Sequence, residues 1–255
     1  MSGLLSLYPV ALLGLLVGLF VGAIGIGGVV LVPSLVYLGG MEVQVAIATC
    51  MSSYVFSGAV GMLEFARRGS VNWPSAAWLC AGAAPGAYLG AATVPLVSPL
   101  LLEVLIAALV SLSGIHALLA RRGAMTPVQR PATHSLAAVG LLVGFGSSLT
   151  GTGGPLLLMP VLLWLQLPIL AAVGLSQVIS IPIAALATVA NLGLGNIDFG
   201  VAATLALVLM LGVLLGARMA HRIPVKVLRV GIAVVLVMVG GAIFLRIAWA
   251  LTISA

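Results

Sequence analysis

One glycine-rich apolar segment occurs twice in this chain. Gly14-Leu15-Leu16-Val17-Gly18 returns as Gly140-Leu141-Leu142-Val143-Gly144, and Gly25-Ile26-Gly27-Gly28 returns as Gly151-Thr152-Gly153-Gly154. Positions 14 and 140 differ by 126 residues, and so do positions 27 and 153. The displacement persists along the chain: Arg68-Gly69-Ser70-Val71-Asn72-Trp73 faces Leu194-Gly195-Asn196-Ile197-Asp198-Phe199, Gly86 and Gly90 face Gly212 and Gly216, and Gly114 faces Gly240. The expected organisation is one membrane domain made of two related repeats, residues 1–122 and 135–255, with a polar linker at 123–134.

The surroundings of the repeat are apolar throughout. The chain is 63% hydrophobic and 5% charged, and its mean hydropathy is +1.35. A soluble domain of this composition would lack polar cover, so the class is an all-α membrane protein. Long continuous apolar runs exclude the short alternating segments of a β-barrel. The net charge of +6 comes from short basic clusters at segment ends, a topogenic pattern that gives no indication of nucleic-acid binding. The N-terminus carries no basic residues before its first apolar run, so a cleaved signal peptide is not expected. Cys50 and Cys80 lie inside apolar segments, and no spacing suggests a metal site, a cofactor or a disulfide framework.

Each half contains four apolar stretches. The later three in each half are near the length of about 20 residues that spans a bilayer. If the first stretch of each half crossed once, the halves would be parallel and their cations would fall on both faces. If it instead enters and returns to the face it left, the halves are inverted. Arg67, Arg68, Arg121, Arg122, Arg130, Arg218, Arg222, Lys226 and Arg229 then share one face, with Arg246 opposite. The positive-inside bias favours inversion. The expected fold is two inverted-topology repeats, each a glycine-broken re-entrant segment plus three transmembrane helices.

In the first broken segment, Gly25, Gly27 and Gly28 predict two half-helices, the second beginning at about Val29. In the second, Pro155 suits the first turn of a new helix after Gly151, Thr152, Gly153 and Gly154. A helix that starts inside the protein presents amide N–H groups without intrahelical acceptors, at the positive end of its dipole. Two such starts meeting near the midplane would hold an anion without a buried cation. Close helix packing is the competing use of glycine, and it suits Gly14, Gly18 and Gly22 better than the paired glycines.

Gly25-Ile26-Gly27-Gly28 with Pro33 and then Ala46-Ile47-Ala48-Thr49-Cys50, matched by Gly151–Gly154, Pro160 and Ala172-Val173-Gly174-Leu175-Ser176, resembles the TauE/SafE family of sulfite and organosulfur anion exporters. The resemblance covers nearly the whole chain. It implies a plasma-membrane carrier of small sulfur-containing or carboxylate anions. The chain departs from the family where Cys50 stands for a frequent Ser, Leu175 for a frequent Thr, and Val29 and Pro155 for a third Gly.

Polar side chains at membrane depth supply the remaining candidates. The expected substrate-binding set is Gly27, Gly28, Thr49, Cys50, Ser53, Thr150, Thr152, Gly153, Gly154, Ser176, Gln177 and Asn191. Hydroxyls and an amide can donate to oxyanions, although Ser and Thr also bond back to their own helices. Asn72 and Asp198 suit N-caps, and Glu64 suits an ion pair with Arg67 or Arg68. No catalytic arrangement or nucleotide-binding motif is present in the sequence, so neither an enzyme nor an ATP-driven pump is expected. These features lead to a secondary transporter exporting a small sulfur-containing anion, multi-pass in the plasma membrane and compatible with a homodimer. An anion channel or a carboxylate carrier is the alternative.

Overall fold

A computed structural model describes residues 2–25, 28–98, 133–165, 167–193 and 196–220, with isolated positions in 100–115 and 222–245. Gly27, most of the 123–134 linker, and much of the fourth stretch of each half lie outside the described residues. The described chain is helical. Its first half contains α1 (Ser2–Ile24), α2 (Leu31–Tyr37), α3 (Val43–Arg67) and α4 (Trp73–Thr93). Its second half contains α5 (Thr133–Thr150), α6 (Pro155–Trp164), α7 (Ile169–Leu192) and α8 (Phe199–Met219). Among the described residues four helices are long and apolar enough to cross a membrane: α3, α4 with its 3₁₀ extension to Leu96, α7 and α8.

Helix is the outcome because backbone groups in an apolar surround must bond within their own segment. The ends follow local chemistry. The side chain of Asn72 accepts from Ser75 N–H at 3.1 Å to cap α4, and that of Asp198 accepts from Val201 N–H at 3.0 Å to cap α8. These caps are 126 residues apart, as are their donors. Glu64 pairs with Arg68 one turn on, at 2.5 Å.

Packing follows the same displacement. The most intimate pairs are α4 with α5 and α1 with α8, so the first helix of each half lies against the last described helix of the other. A side chain at Gly86 would press on the Leu141 carbonyl, and one at Gly212 on the Leu15 carbonyl. Gly90 opposes Phe145 as Gly216 opposes Leu19, and Gly144 opposes Ala83 as Gly18 opposes Leu209. Every member of each first pair maps onto the second by 126 residues. Glycine here removes the Cβ that would hold the backbones apart. Gly14, Gly18 and Gly22 therefore serve packing against α8. The more buried spans, α3 and α7, pack on each other at the centre.

The first broken stretch differs in one respect from the expected pair of half-helices. α1 has 23 residues, more than half a crossing, because the apolar run continues the helix through Pro9, Gly14, Gly18 and Gly22 as far as Ile24. A 3₁₀ turn at Gly28–Val30 then precedes the seven residues of α2. At about 1.5 Å per residue, α2 rises only about 10 Å.

Candidate functional site

Both glycine runs interrupt their helices. Gly25 ends α1 with φ +74°, and its counterpart Gly151 ends α5 with φ +70°. Gly153 and Gly154 follow at +76° and +109°, so three of four consecutive residues adopt backbone that side chains other than glycine's resist. Thr152 N–H bonds back to Ser147 C=O at 3.1 Å, closing the turn before Pro155 starts α6. The two breaks touch: a Cβ on Gly28 would stand 3.0 Å from the Thr152 carbonyl oxygen, and one on Gly25 would stand 3.7 Å from Pro155 Cβ.

Where they meet lies a small cavity. Its walls are Val21, Gly25 and Gly28 from the first break, and Thr152, Gly153 and Pro155 from the second. Tyr54, Ser57 and Gly58 from α3, with Gln177 and Ser180 from α7, complete it. The space open to the centre of a water-sized body is about 10 Å³, room for about one water. Tyr54 accounts for the small size. Its hydroxyl donates to Gly28 C=O at 2.7 Å, and its ring packs on Gly153 in the other half. One side chain thus spans both breaks.

Of the expected residues, Gly28, Thr152, Gly153 and Gln177 line this cavity together. Gln177 Nε2 donates to Val21 C=O at 2.9 Å, while Gln177 Oε1 is buried without a hydrogen-bond partner. Gly154 sits just behind, facing Ile183 and Ser180. Thr150 donates to Gly146 C=O at 2.7 Å and its hydroxyl lies 3.2 Å from that of Thr152.

The other expected residues are buried elsewhere. Ser53 donates to Thr49 C=O in its own helix and to Ala202 C=O in α8, each at 3.0 Å. The Thr49 hydroxyl accepts from Asp198 N–H at 3.2 Å. Ser176 bonds Ala172 C=O and Asn191 bonds Ala187 C=O within α7, at 2.8 and 2.7 Å. Asn191 Oδ1 has no partner, and Cys50 is fully buried. Gly27 lies outside the described residues.

Sequence reasoning missed Val21, Tyr54, Ser57 and Gly58 as lining residues. A signal was present: Cys50, Tyr54, Ser57 and Gly61 recur at helical spacing and mark one face of α3.

Four apolar helices long enough to cross a bilayer, together with two further helices that break at matched glycines and meet around a buried cavity without charged lining, define a membrane protein of transporter type. Comparison with known sequences agrees. The profile of the family described as Sulfite exporter TauE/SafE matches residues 10–243, and the chain belongs to that family. It is 27% identical over 263 residues to the probable membrane transporter protein YunE of Bacillus subtilis (strain 168), covering 92% of this chain and 96% of that protein. It is 25% identical over 224 residues to the probable membrane transporter protein YdhB of the same organism, covering 86% and 90%. A probable membrane transporter protein of Xylella fastidiosa (strain 9a5c) is 29% identical over 170 residues, covering 64% and 65%. No solved structure matches the chain significantly.

Proposed function

We propose that this protein is a multi-pass carrier of the plasma membrane that exports a small sulfur-containing anion, such as sulfite or a sulfonate, by alternating access. The observation that carries this reading is the meeting of two helix breaks around a buried cavity that contains no charged side chain among the described residues. Such a site suits a small anion because α6 begins at its wall, where the Leu156 and Leu157 amides precede the first intrahelical bond, Leu158 N–H to Gly154 C=O, at the positive end of the helix dipole. The family's description supports sulfite as the type of cargo.

In this reading the halves are inverted, as the distribution of basic residues supports, and the two broken stretches are re-entrant. The cavity is too small for a sulfur oxyanion while the Tyr54 ring bridges Gly28 and Gly153. Loading requires that ring to withdraw, and its return seals the site. The proposed binding set is Gly28, Thr152, Gly153 and Gln177 around the cavity, together with Gly27, which lies outside the described residues. Thr150 and Gly154 would stand directly behind this set, and the expected Thr49, Cys50, Ser53, Ser176 and Asn191, buried elsewhere, would make no contact with the anion in this reading. The protein performs no covalent chemistry in this reading.

Purified protein in proteoliposomes, loaded with unlabelled sulfite and offered radiolabelled sulfite, tests the proposal. Saturable, trans-stimulated exchange is expected. Ohmic sulfite currents would replace the carrier by a channel, and the absence of any sulfite flux would refute the reading.

A further inference from the structure

The hydrogen-bond inventory of the cavity constrains the protonation of its ligand. Each side-chain hydroxyl on the wall already has a place for its proton. Tyr54 donates to Gly28 C=O at 2.7 Å, Ser57 to Tyr54 C=O at 3.4 Å, and Ser180 to Ser176 C=O at 2.8 Å. The Thr150 proton is on Gly146 C=O, so Thr152 is the donor in the 3.2 Å contact between the two threonine hydroxyls. The Gln177 amide is oriented by Val21 C=O, which can only accept and therefore meets the NH₂ group. That leaves Gln177 Oε1 as the unmatched side-chain atom among the residues that line the cavity, in a residue 1% exposed. It lies over Gly61 of α3, where any Cβ would collide with it. An unmet buried acceptor calls for a donor, and leaving it unmet costs about 1–3 kcal/mol.

We infer, resting on the transport reading above, that the cavity takes its anion with a proton attached, as a monoprotonated oxyanion such as hydrogen sulfite, whose O–H donates to Gln177 Oε1. The ligand's remaining oxygens accept from the Leu156 and Leu157 amides, which precede the first intrahelical bond of α6. The fully deprotonated anion is rejected twice: its oxygens oppose Oε1, and no cation on the wall offsets the second charge. One proton then leaves with each anion, without a titrating side chain. The groups around Gln177 fit this. α6 and α7 contain no titratable residue. On α3 the titratable and charged residues are Cys50, Tyr54, Glu64 and Arg67, the last two near its far end. On α1 there is Tyr8, on α2 Tyr37, on α4 Cys80 and Tyr88, and at the start of α5 His134, and none of these lines the cavity.

The test is saturable binding of radiolabelled sulfite to the purified full-length protein across the pH range in which hydrogen sulfite loses its proton. Methanesulfonate, singly charged but without a donor, serves as competitor. Affinity expressed as total sulfite should fall about tenfold per pH unit beyond the ligand's own ionisation and stay constant when expressed as hydrogen sulfite. Methanesulfonate should compete about tenfold or more weakly than hydrogen sulfite. Gln177→Met, which removes the acceptor, and Gly61→Ala, which displaces the intact side chain, should each bring the two anions within about twofold of one another. Should either variant fail to fold, the wild-type pH series and competitor still decide. Equal affinity for sulfite on both sides of its ionisation, or for methanesulfonate and hydrogen sulfite, would overturn the inference and leave the transport reading standing. No saturable binding of either anion at any pH would overturn both.

Discussion

Replacing Gly153 by alanine separates two costs that the structure places on one residue. The first is conformational. Gly153 has φ +76°, and an L-residue held in left-handed backbone loses about 1–2 kcal/mol relative to its preferred conformations. The second is steric. A Cβ there would stand 2.8 Å from Cδ2 and 3.1 Å from Cε2 of the Tyr54 ring. The ring cannot retreat without stretching its 2.7 Å bond to Gly28 C=O, a loss of about 1 kcal/mol, with some packing besides. The total is about 2–4 kcal/mol. Gly40 is the control, since it has φ +65° but nothing within 4 Å of its Cβ position. Gly40→Ala should therefore cost only the first component.

A double-mutant cycle with Tyr54→Ser isolates the second component. Serine is what the repeat itself places at the corresponding position, Ser180. In the Tyr54→Ser background the added methyl meets no ring, so Gly153→Ala should cost about 1 kcal/mol less than in wild type or better, a coupling expected of residues in direct contact. Equilibrium unfolding in mixed micelles, followed by tryptophan fluorescence, reads all the values. If Gly153→Ala is no costlier than Gly40→Ala, or if Tyr54→Ser leaves its cost unchanged, the ring is not clamped between the breaks and the account of the small cavity fails.

Further outcomes follow from single contacts. Tyr54→Phe keeps the ring but frees the Gly28 carbonyl, so sulfite exchange in proteoliposomes should quicken by up to about fivefold as closure weakens by about 1 kcal/mol; slower exchange would argue against Tyr54 as the closing group. Asn72→Ala and Asp198→Ala should each lose about 1 kcal/mol in the same unfolding assay, since each removes one matched N-cap bond. Gly86→Leu and Gly212→Leu should each cost about 3 kcal/mol or more, because the opposing atoms are backbone and cannot turn aside. Size-exclusion profiles identical to wild type for both would show that the helix pairs tolerate separation.

The breaks were legible because glycine pairs have few uses at membrane depth and because each pair occurs twice. The caps at Asn72 and Asp198 were legible for the same reason, short-range chemistry repeated at one displacement. The use of Gly14, Gly18 and Gly22 was legible as helix packing, but the partner was not: nothing local says that α1 will lie against α8 and not against its neighbour α3. The site was less legible than the breaks. Thr49, Ser53 and Ser176 have the hydroxyls an anion site wants, yet the Ser53 and Ser176 protons go to carbonyls one turn back or across to α8 and the Thr49 oxygen accepts from Asp198 N–H, and only three-dimensional packing decides between those uses. Gln177 was visible as a costly amide in an apolar helix. That its NH₂ would be taken by Val21, leaving only an acceptor, depends on where α1 ends up.

The most informative position is the one at which the halves disagree. Tyr54 and Ser180 occupy the same place in the repeat, and the glycine contacts between α4 and α5 recur with the same displacement between α8 and α1. Yet Tyr54 reaches across to the opposite break, while Ser180 turns its hydroxyl back onto Ser176 of its own helix. The geometry requires this difference. The breaks touch, and the space between them already contains one aromatic ring with room left for about one water. A second tyrosine at position 180 would have to enter the same space from α7, where Ser180 Oγ lies within 3.6 Å of the Cβ position of Gly154. A duplicated architecture with one shared cavity can therefore carry only one such bridge. The divergence at 54 and 180 follows from there being one site for two halves, and Ser180→Tyr should prevent folding unless Tyr54 is made small in the same chain.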